Sequence, residues 1–393
     1  LVFELLGGAF ILATLKMYGD DSLNYGVLLN SNKALEVIMG IFSSVIIAFV
    51  FGAFVMWLSR IIFTFNYRKH SRYSIAIFGG IAFTALSYFI FMKGLGKSPY
   101  LPAEWRDYID QNLGLLLCIT FVGSAIVMEF LHLCRINIFK FTVLMGTFAL
   151  AMAFAGNDLV NFIGVPLAGL SSYQDYMANA NGATPDQFMM TSLMDSAKTT
   201  PVYLLAAGAV MIIAMATSKK AQNVIKTSVD LSRQDEGDEM FGSSSAARVI
   251  VRNCQATDSW LKQFMPKALM NWINSRFDKN DVELEESAAF DVVRAAVNLV
   301  LASMLITIGT NLKLPLSTTY VTFMVAMGSS LADRAWSRES AVFRVTGVLS
   351  VIGGWFITAG VAFAACAIVC LVMHFGGVGI QTCFMALVIF LLI

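Results

Sequence analysis

Residues 155–164 read Ala-Gly-Asn-Asp-Leu-Val-Asn-Phe-Ile-Gly, inside a region otherwise apolar enough for a bilayer. A carboxylate at membrane depth costs roughly 2.5–3.5 kcal/mol on insertion scales, so it points to an ion, a proton or a substrate. Asp158 and Asn161 are spaced i, i+3 and share a helical face. Hard cations take oxygen ligands, which the Asp158 carboxylate and the amide carbonyls of Asn157 and Asn161 can supply. Gly156 and Gly164 are expected to loosen the helix and Pro166 to break it. Broken backbone is tolerated at membrane depth only where it is buried or lines a cavity. The plainer alternative is that Asp158 caps a helix starting at Leu159, at the membrane edge.

The second constellation is Leu314-Pro315-Leu316-Ser317-Thr318-Thr319-Tyr320. Proline suits a helix N-terminus, where N–H groups attract anions, and three hydroxyl residues follow. Hydroxyls can donate to an oxyanion without adding a fixed charge that would trap it. The run Val321–Leu331 is short for a span and fits one arm of a re-entrant hairpin. An ordinary Ser/Thr-capped helix explains the local pattern equally well. One motif offers ligands for a cation, the other donors for an anion, and the pair points to a cation-coupled anion carrier.

The elements that must carry these motifs are apolar. Of 393 residues 57% are hydrophobic and 13% charged, against about 25% charged in soluble domains; the mean hydropathy is +0.70. This is the composition of an all-α polytopic membrane protein, and nothing suggests a barrel. Runs at 35–63, 75–95, 112–134, 139–156, 200–217, 287–310 and 341–373 approach or exceed the ~20 residues of a span. Shorter ones lie at 1–16, 159–170, 314–332 and 378–393, and whether 314–332 crosses or re-enters is open. Lys and Arg mark cytoplasmic loops: Arg68, Lys69 and Arg72; Arg135 and Lys140; Lys219, Lys220 and Lys226. The 171–199 loop, with Asp175, Asp186 and Asp195, is expected outside.

Net charge is +1, which gives no pull toward nucleic acid. The six cysteines read as small hydrophobes, Cys366 and Cys370 included. Residues 218–286 form a hydrophilic insert with an acidic cluster (Asp235, Glu236, Asp238, Glu239). In it Trp260, Leu261, Phe264, Met265, Ala268, Trp272 and Ile273 fall at helical spacing. They mark an amphipathic helix that lies on the cytoplasmic face or packs on the protein itself. Asp291 and Arg294, at i, i+3, are expected to pair. The chain begins at Leu1 and ends at Ile393, both inside apolar runs, so both ends are expected to be cut.

A faint repeat matches Gly40, Ser43 and Phe49 to Gly347, Ser350 and Phe356. Inverted-repeat transporters place their site at the repeat interface, on broken helices. Gly156-Asn157-Asp158-Leu159-Val160-Asn161, followed by Pro315-Leu316-Ser317-Thr318-Thr319, resembles the inorganic phosphate transporter (PiT) family. That family carries Gly-x-Asn-Asp-x-x-Asn and Pro-x-Ser-Thr-Thr in each of two inverted repeats. The resemblance implies an inverted-repeat secondary transporter with broken helices and re-entrant hairpins, a phosphate symporter driven by sodium or protons. It implies that Asn157, Asp158 and Asn161 hold the coupling cation, with sodium at Asp158. Ser317, Thr318 and Thr319, with Asn161, would bind phosphate. The remainder of the first repeat and the following helices would occupy 1–135, the start of the second repeat 136–217, the insert 218–286 and the rest of the second repeat 287–393. The first-repeat motifs would lie upstream of Leu1.

Tyr320 stands where the family often has His, which removes any role carried by that side chain. The resemblance places the protein in the cell (inner) membrane as a multi-pass carrier, with a homo-oligomer allowed. No enzymatic role and no cofactor beyond the coupling ion are expected, because no His/Asp/Glu cluster has metal or acid–base spacing. Another oxyanion such as sulfate, or a non-transporting membrane receptor or assembly subunit, are the alternatives.

Overall fold

Apolar chain in lipid must bond its own backbone, and helices do this within one segment. The computed structural model describes residues 1–65, 72–95, 102–184, 187–194, 200–219, 242–264, 266–277, 291–314, 316–334 and 338–392. Arg68, Lys69, Asp186, Asp195, Lys220, Lys226, the 235–239 acidic cluster and Pro315 lie outside these residues.

The helices in chain order are α1 (Val2–Gly19), α2 (Tyr25–Leu28), α3 (Ser31–Phe63) and α4 (Arg72–Ser87), which winds on as a π-helix over Tyr88–Leu95. Then come α5 (Ala103–Gln111), α6 (Leu113–Leu133), α7 (Ile138–Asn179) and α8 (Pro201–Thr217). The last are α9 (Ser245–Phe264), α10 (Lys267–Arg276), α11 (Val292–Asn311), α12 (Thr318–Ala332) and α13 (Arg338–Leu392). Among the described residues seven helices are long and apolar enough to cross a membrane. The chain is an all-α, multi-pass membrane protein.

Three expectations are corrected. Pro166 does not break its helix: α7 runs unbroken for 42 residues, so 139–156 and 159–170 are one element and helix extends into 171–179. A proline forfeits one i→i−4 bond, here to the Phe162 carbonyl. Every flanking backbone group still has its best partner within the helix, so the course is kept. Asp158 is therefore mid-helix and caps nothing. The insert's amphipathic stretch is two helices, because Pro266 precedes α10 at its N-cap. Near the C-terminal end, Gly377 adopts φ 57°, ψ −156° inside α13. This left-handed break is open to glycine and separates the two apolar runs read there.

The chain divides into two compact units. One comprises Leu1–Met39, Gly237–Ser259 and Arg338–Ile393. In it Gly7 lets α1 lie against the backbone of Phe363, and Gly8 faces the thiols of Cys366 and Cys370. Those sulfurs are 4.0 Å apart and free.

The other unit comprises Gly40–Glu236 and Trp260–Ser337. Its central element is α11, 67% of which is buried, against 11% of the spanning windows of α3 and α6. α11 and α12 form a hairpin: Arg294 near the start of the first arm bonds Asp333 just past the second. The segment 314–332 thus returns to the end from which α11 left. Phe63 packs edge-on to Phe139, so the end of α3 and the start of α7 lie together, beside Val293.

Helices in lipid gain little from apolar burial, so small residues that allow close approach carry the packing. α3 and α12 cross on two such residues. A Cβ on Gly52 would sit 2.6 Å from the Val325 carbonyl oxygen, and one on Gly328 would run into the Phe49 carbonyl. Both obstacles are backbone, which cannot rotate away. Gly328→Val is therefore expected to lower stability by at least about 1–3 kcal/mol, measured by thermal unfolding in detergent. Gly353→Val, where a Cβ meets open space, is the unperturbed control.

Candidate functional site

Thr142, Gly146, Ala149, Ala153 and Asn157 recur every three or four residues along α7 and are buried. This stripe of small and polar residues packs on α11: Gly146 lies against Leu299 and Val300, and Ala149 packs with Val300. Asn157, one turn beyond Ala153, carries the same face to the tip of the α11–α12 hairpin.

The tip is irregular but bonded. α11 ends with Leu314 N–H donating to the Gly309 carbonyl (2.9 Å) and Lys313 N–H to that of Thr310 (3.0 Å). Lys313 is left-handed, φ 56°, as this helix-ending motif requires. Gly309 leaves room for the Leu316 side chain, and Leu316 is buried. Its carbonyl accepts from Asn157 Nδ2 at 3.3 Å.

Two residues on, Thr318 opens α12. Its hydroxyl donates to the Asp158 carboxylate, 3.1 Å from each oxygen, and the side chain is buried. The two constellations, about 160 residues apart in sequence, therefore meet. Ser317 holds the N-cap position with extended backbone but makes no capping bond, which sets the ordinary Ser-capped start aside. The hydroxyls of Ser317 and Thr319, both half-buried, bond no described residue. Asn161 is exposed on the next turn of α7, and the structure does not bring it to the tip.

The arrangement offers a carboxylate, one amide and three hydroxyls around a hairpin tip. A carboxylate with neutral oxygens can take a hard cation, and hydroxyls can donate to an oxyanion. Among the described residues no three His, Cys, Asp or Glu side chains converge on a metal site.

The foot of the same hairpin holds a buried charge network that the sequence reading missed. Arg60 of α3, wholly buried, grips Asp333 with Nε at 2.5 Å and Nη2 at 2.7 Å. Nη2 also lies 3.3 Å from Asp291, and Nη1 donates to the Thr64 carbonyl at 2.8 Å. Arg294 Nη1 reaches Asp333 at 3.3 Å. Asp291 and Arg294 do meet, as the spacing suggested: Asp291 caps α11 by accepting from the Arg294 backbone N–H at 2.8 Å and feels the Arg294 charge, while Arg294 Nη1 also reaches Asp333. Burial pushes the Asp291 carboxyl upward, but Arg60 and the Arg294 N–H outweigh it and hold it below the ordinary carboxylate range. An Arg three residues before the end of an apolar run was the available signal. Its partner is 273 residues away.

No family model matches the chain, and no curated protein and no solved structure matches it.

Removing one member of a buried pair leaves an uncompensated charge and costs about 3–5 kcal/mol, whereas removing both partners can be near neutral. Arg60→Met is expected to destabilise by that amount. Arg60→Met with Asp333→Leu leaves Asp291 and Arg294 in balance, and most of the loss should return. Thermal unfolding of the three proteins in detergent measures it, and equal losses in single and double variants would contradict the network.

Proposed function

We propose that this protein is a secondary carrier of inorganic phosphate in the cell (inner) membrane, a symporter driven by sodium or protons. The observation that carries the reading is the contact between Thr318 at the hairpin tip and Asp158 on α7. It joins an anion-type donor to a cation-type ligand.

A threonine hydroxyl has one proton to donate. While that proton is held by the Asp158 carboxylate it is withheld from an anion, and the bare carboxylate repels phosphate. A sodium ion or a proton on Asp158 cancels the charge and frees the hydroxyl. Cation binding thus favours anion binding, and by linkage the reverse holds. Ser317 and Thr319 supply further donors to phosphate, with Asn161 one turn along. Asn157 ties the tip to α7 and lies beside the cation ligand. The inverted repeat, the re-entrant character of the hairpin and alternating access about the site belong to this same reading. Hydroxyl donors suit any tetrahedral oxyanion, so sulfate is the second substrate to test.

The test is uptake of labelled phosphate by the full-length protein in vesicles, under a sodium or a pH gradient. Asp158→Asn is expected to abolish cation dependence. Thr318→Val loses a hydrogen bond to a charged group, about 1.5–3 kcal/mol, and uptake should fall roughly 10- to 100-fold. Cation-dependent uptake that survives intact in Asp158→Asn would sink the reading. Equal competition by sulfate would broaden the substrate class. Failure to move any labelled anion would favour a receptor or assembly subunit.

A further inference from the structure

Helix α10, Lys-Ala-Leu-Met-Asn-Trp-Ile-Asn-Ser-Arg, belongs to the insert, yet it is fastened to the membrane-spanning part of its unit. Arg276 donates through Nε to the Ile61 carbonyl at 2.7 Å and through Nη2 to that of Ile62 at 3.0 Å. These carbonyls belong to the last turn of α3, which has no intrahelical donors of its own. On the other side Arg334, just past α12, donates to Asn274 Oδ1 at 3.3 Å and stacks 4.9 Å above the Phe277 ring, which is buried. α10 therefore joins the ends of α3 and α12 beside the Arg60–Asp333 pair.

That attachment fixes its depth. The 33 residues of α3 exceed what a span needs, but its apolar run stops at Phe63, just before Asn66, Arg68 and Lys69 in the sequence, so its last turn lies at the boundary of the hydrocarbon layer. Leu269, Trp272 and Ile273 share a helical face with Arg276, at i, i+3, i+4 and i+7. Leu269 is 43% and Trp272 49% exposed, while Lys267, Asn271 and Asn274 lie on the opposite face. In water two large apolar side chains on one short helix would form a bare patch. At a bilayer boundary, Trp with flanking Lys and Arg is the usual composition of an interfacial belt.

We infer that the partner of this face is the bilayer interface. Leu269 and Trp272 enter it, continuing the lipid-facing surface of α3, and Lys267 lies at the headgroup level. α10 is thereby clamped between the lipid surface and the foot of the α11–α12 hairpin. This holds whether or not the chain carries phosphate.

The test uses the full chain in vesicles of phosphatidylcholine and phosphatidylglycerol. The Trp272 emission is taken as the difference between the native protein and Trp272→Phe. Lipids brominated high on the acyl chain are expected to quench that difference, and aqueous iodide to leave it largely untouched. Quenching by iodide but not by brominated lipid would overturn the inference, and so would protection from both, which would mean protein covers the face. Two further variants guard against a perturbed Trp272→Phe. In that background Leu269→Trp should report the same lipid quenching, and Asn271→Trp, on the opposite face, should be open to iodide.

Discussion

The twin hydrogen bonds from Arg60 to Asp333 close one end of a hairpin whose other end carries the candidate site. Each ion alone would cost several kcal/mol to desolvate. Two arginines and two aspartates in contact bring the cluster to neutrality, and each charge meets its opposite at hydrogen-bond distance. Because Asp291 caps α11 and Asp333 follows α12, the network sets where both arms start. The tip, about 30 Å away by the rise of a 20-residue helix, inherits its position from that foot.

The arms need little other help. Gly52 and Gly328 bring α3 and α12 into backbone contact, and the small stripe of α7 brings it against α11. In lipid this close approach takes the place of a hydrophobic driving force. The irregular backbone between the two arms lies at the tip, where the carbonyls of Gly309, Thr310 and Leu316 all accept bonds. That is why the tip can lie among helices, and why α7, with only Pro166 against it, does not open.

The membrane class and six of the seven long helices were legible, because composition and run length depend on single residues; the run 1–16, read as a short piece, is the span-length α1, and 200–217, read as a span, is the shorter α8. The chemistry of the two motifs placed Asp158 and Ser317–Thr319 in one carrier, and the contact itself, between Thr318 and Asp158, is seen only in the structure. Other features were not legible, for separate reasons. A glycine, a proline and a polar group together read as a break, yet in apolar surroundings the continuing helix is the better hydrogen-bond partner. Asn161 shares a face with Asp158 by spacing, but spacing alone does not say where the hairpin ends. Arg60 and Asp333 stood unpaired in the sequence, since nothing local links positions so far apart. Nothing local marks Arg276, and its role at the end of α3 follows only from the docking of α10.

The two ends of the hairpin differ in what parting them would cost. At the tip the contacts are one amide-to-carbonyl bond, at 3.3 Å, and one hydroxyl shared between two carboxylate oxygens. Such bonds contribute about 0.5–1.5 kcal/mol when neutral and about 1.5–3 when one partner is charged, and water or an ion can replace either. At the foot, separating Arg60 from Asp333 strands two buried charges, at about 3–5 kcal/mol, with Arg294 and Asp291 disturbed as well. α10 adds Arg276 and Arg334 across the same junction. The tip is therefore the end that ligands can compete for, and the foot is the end that holds while they do.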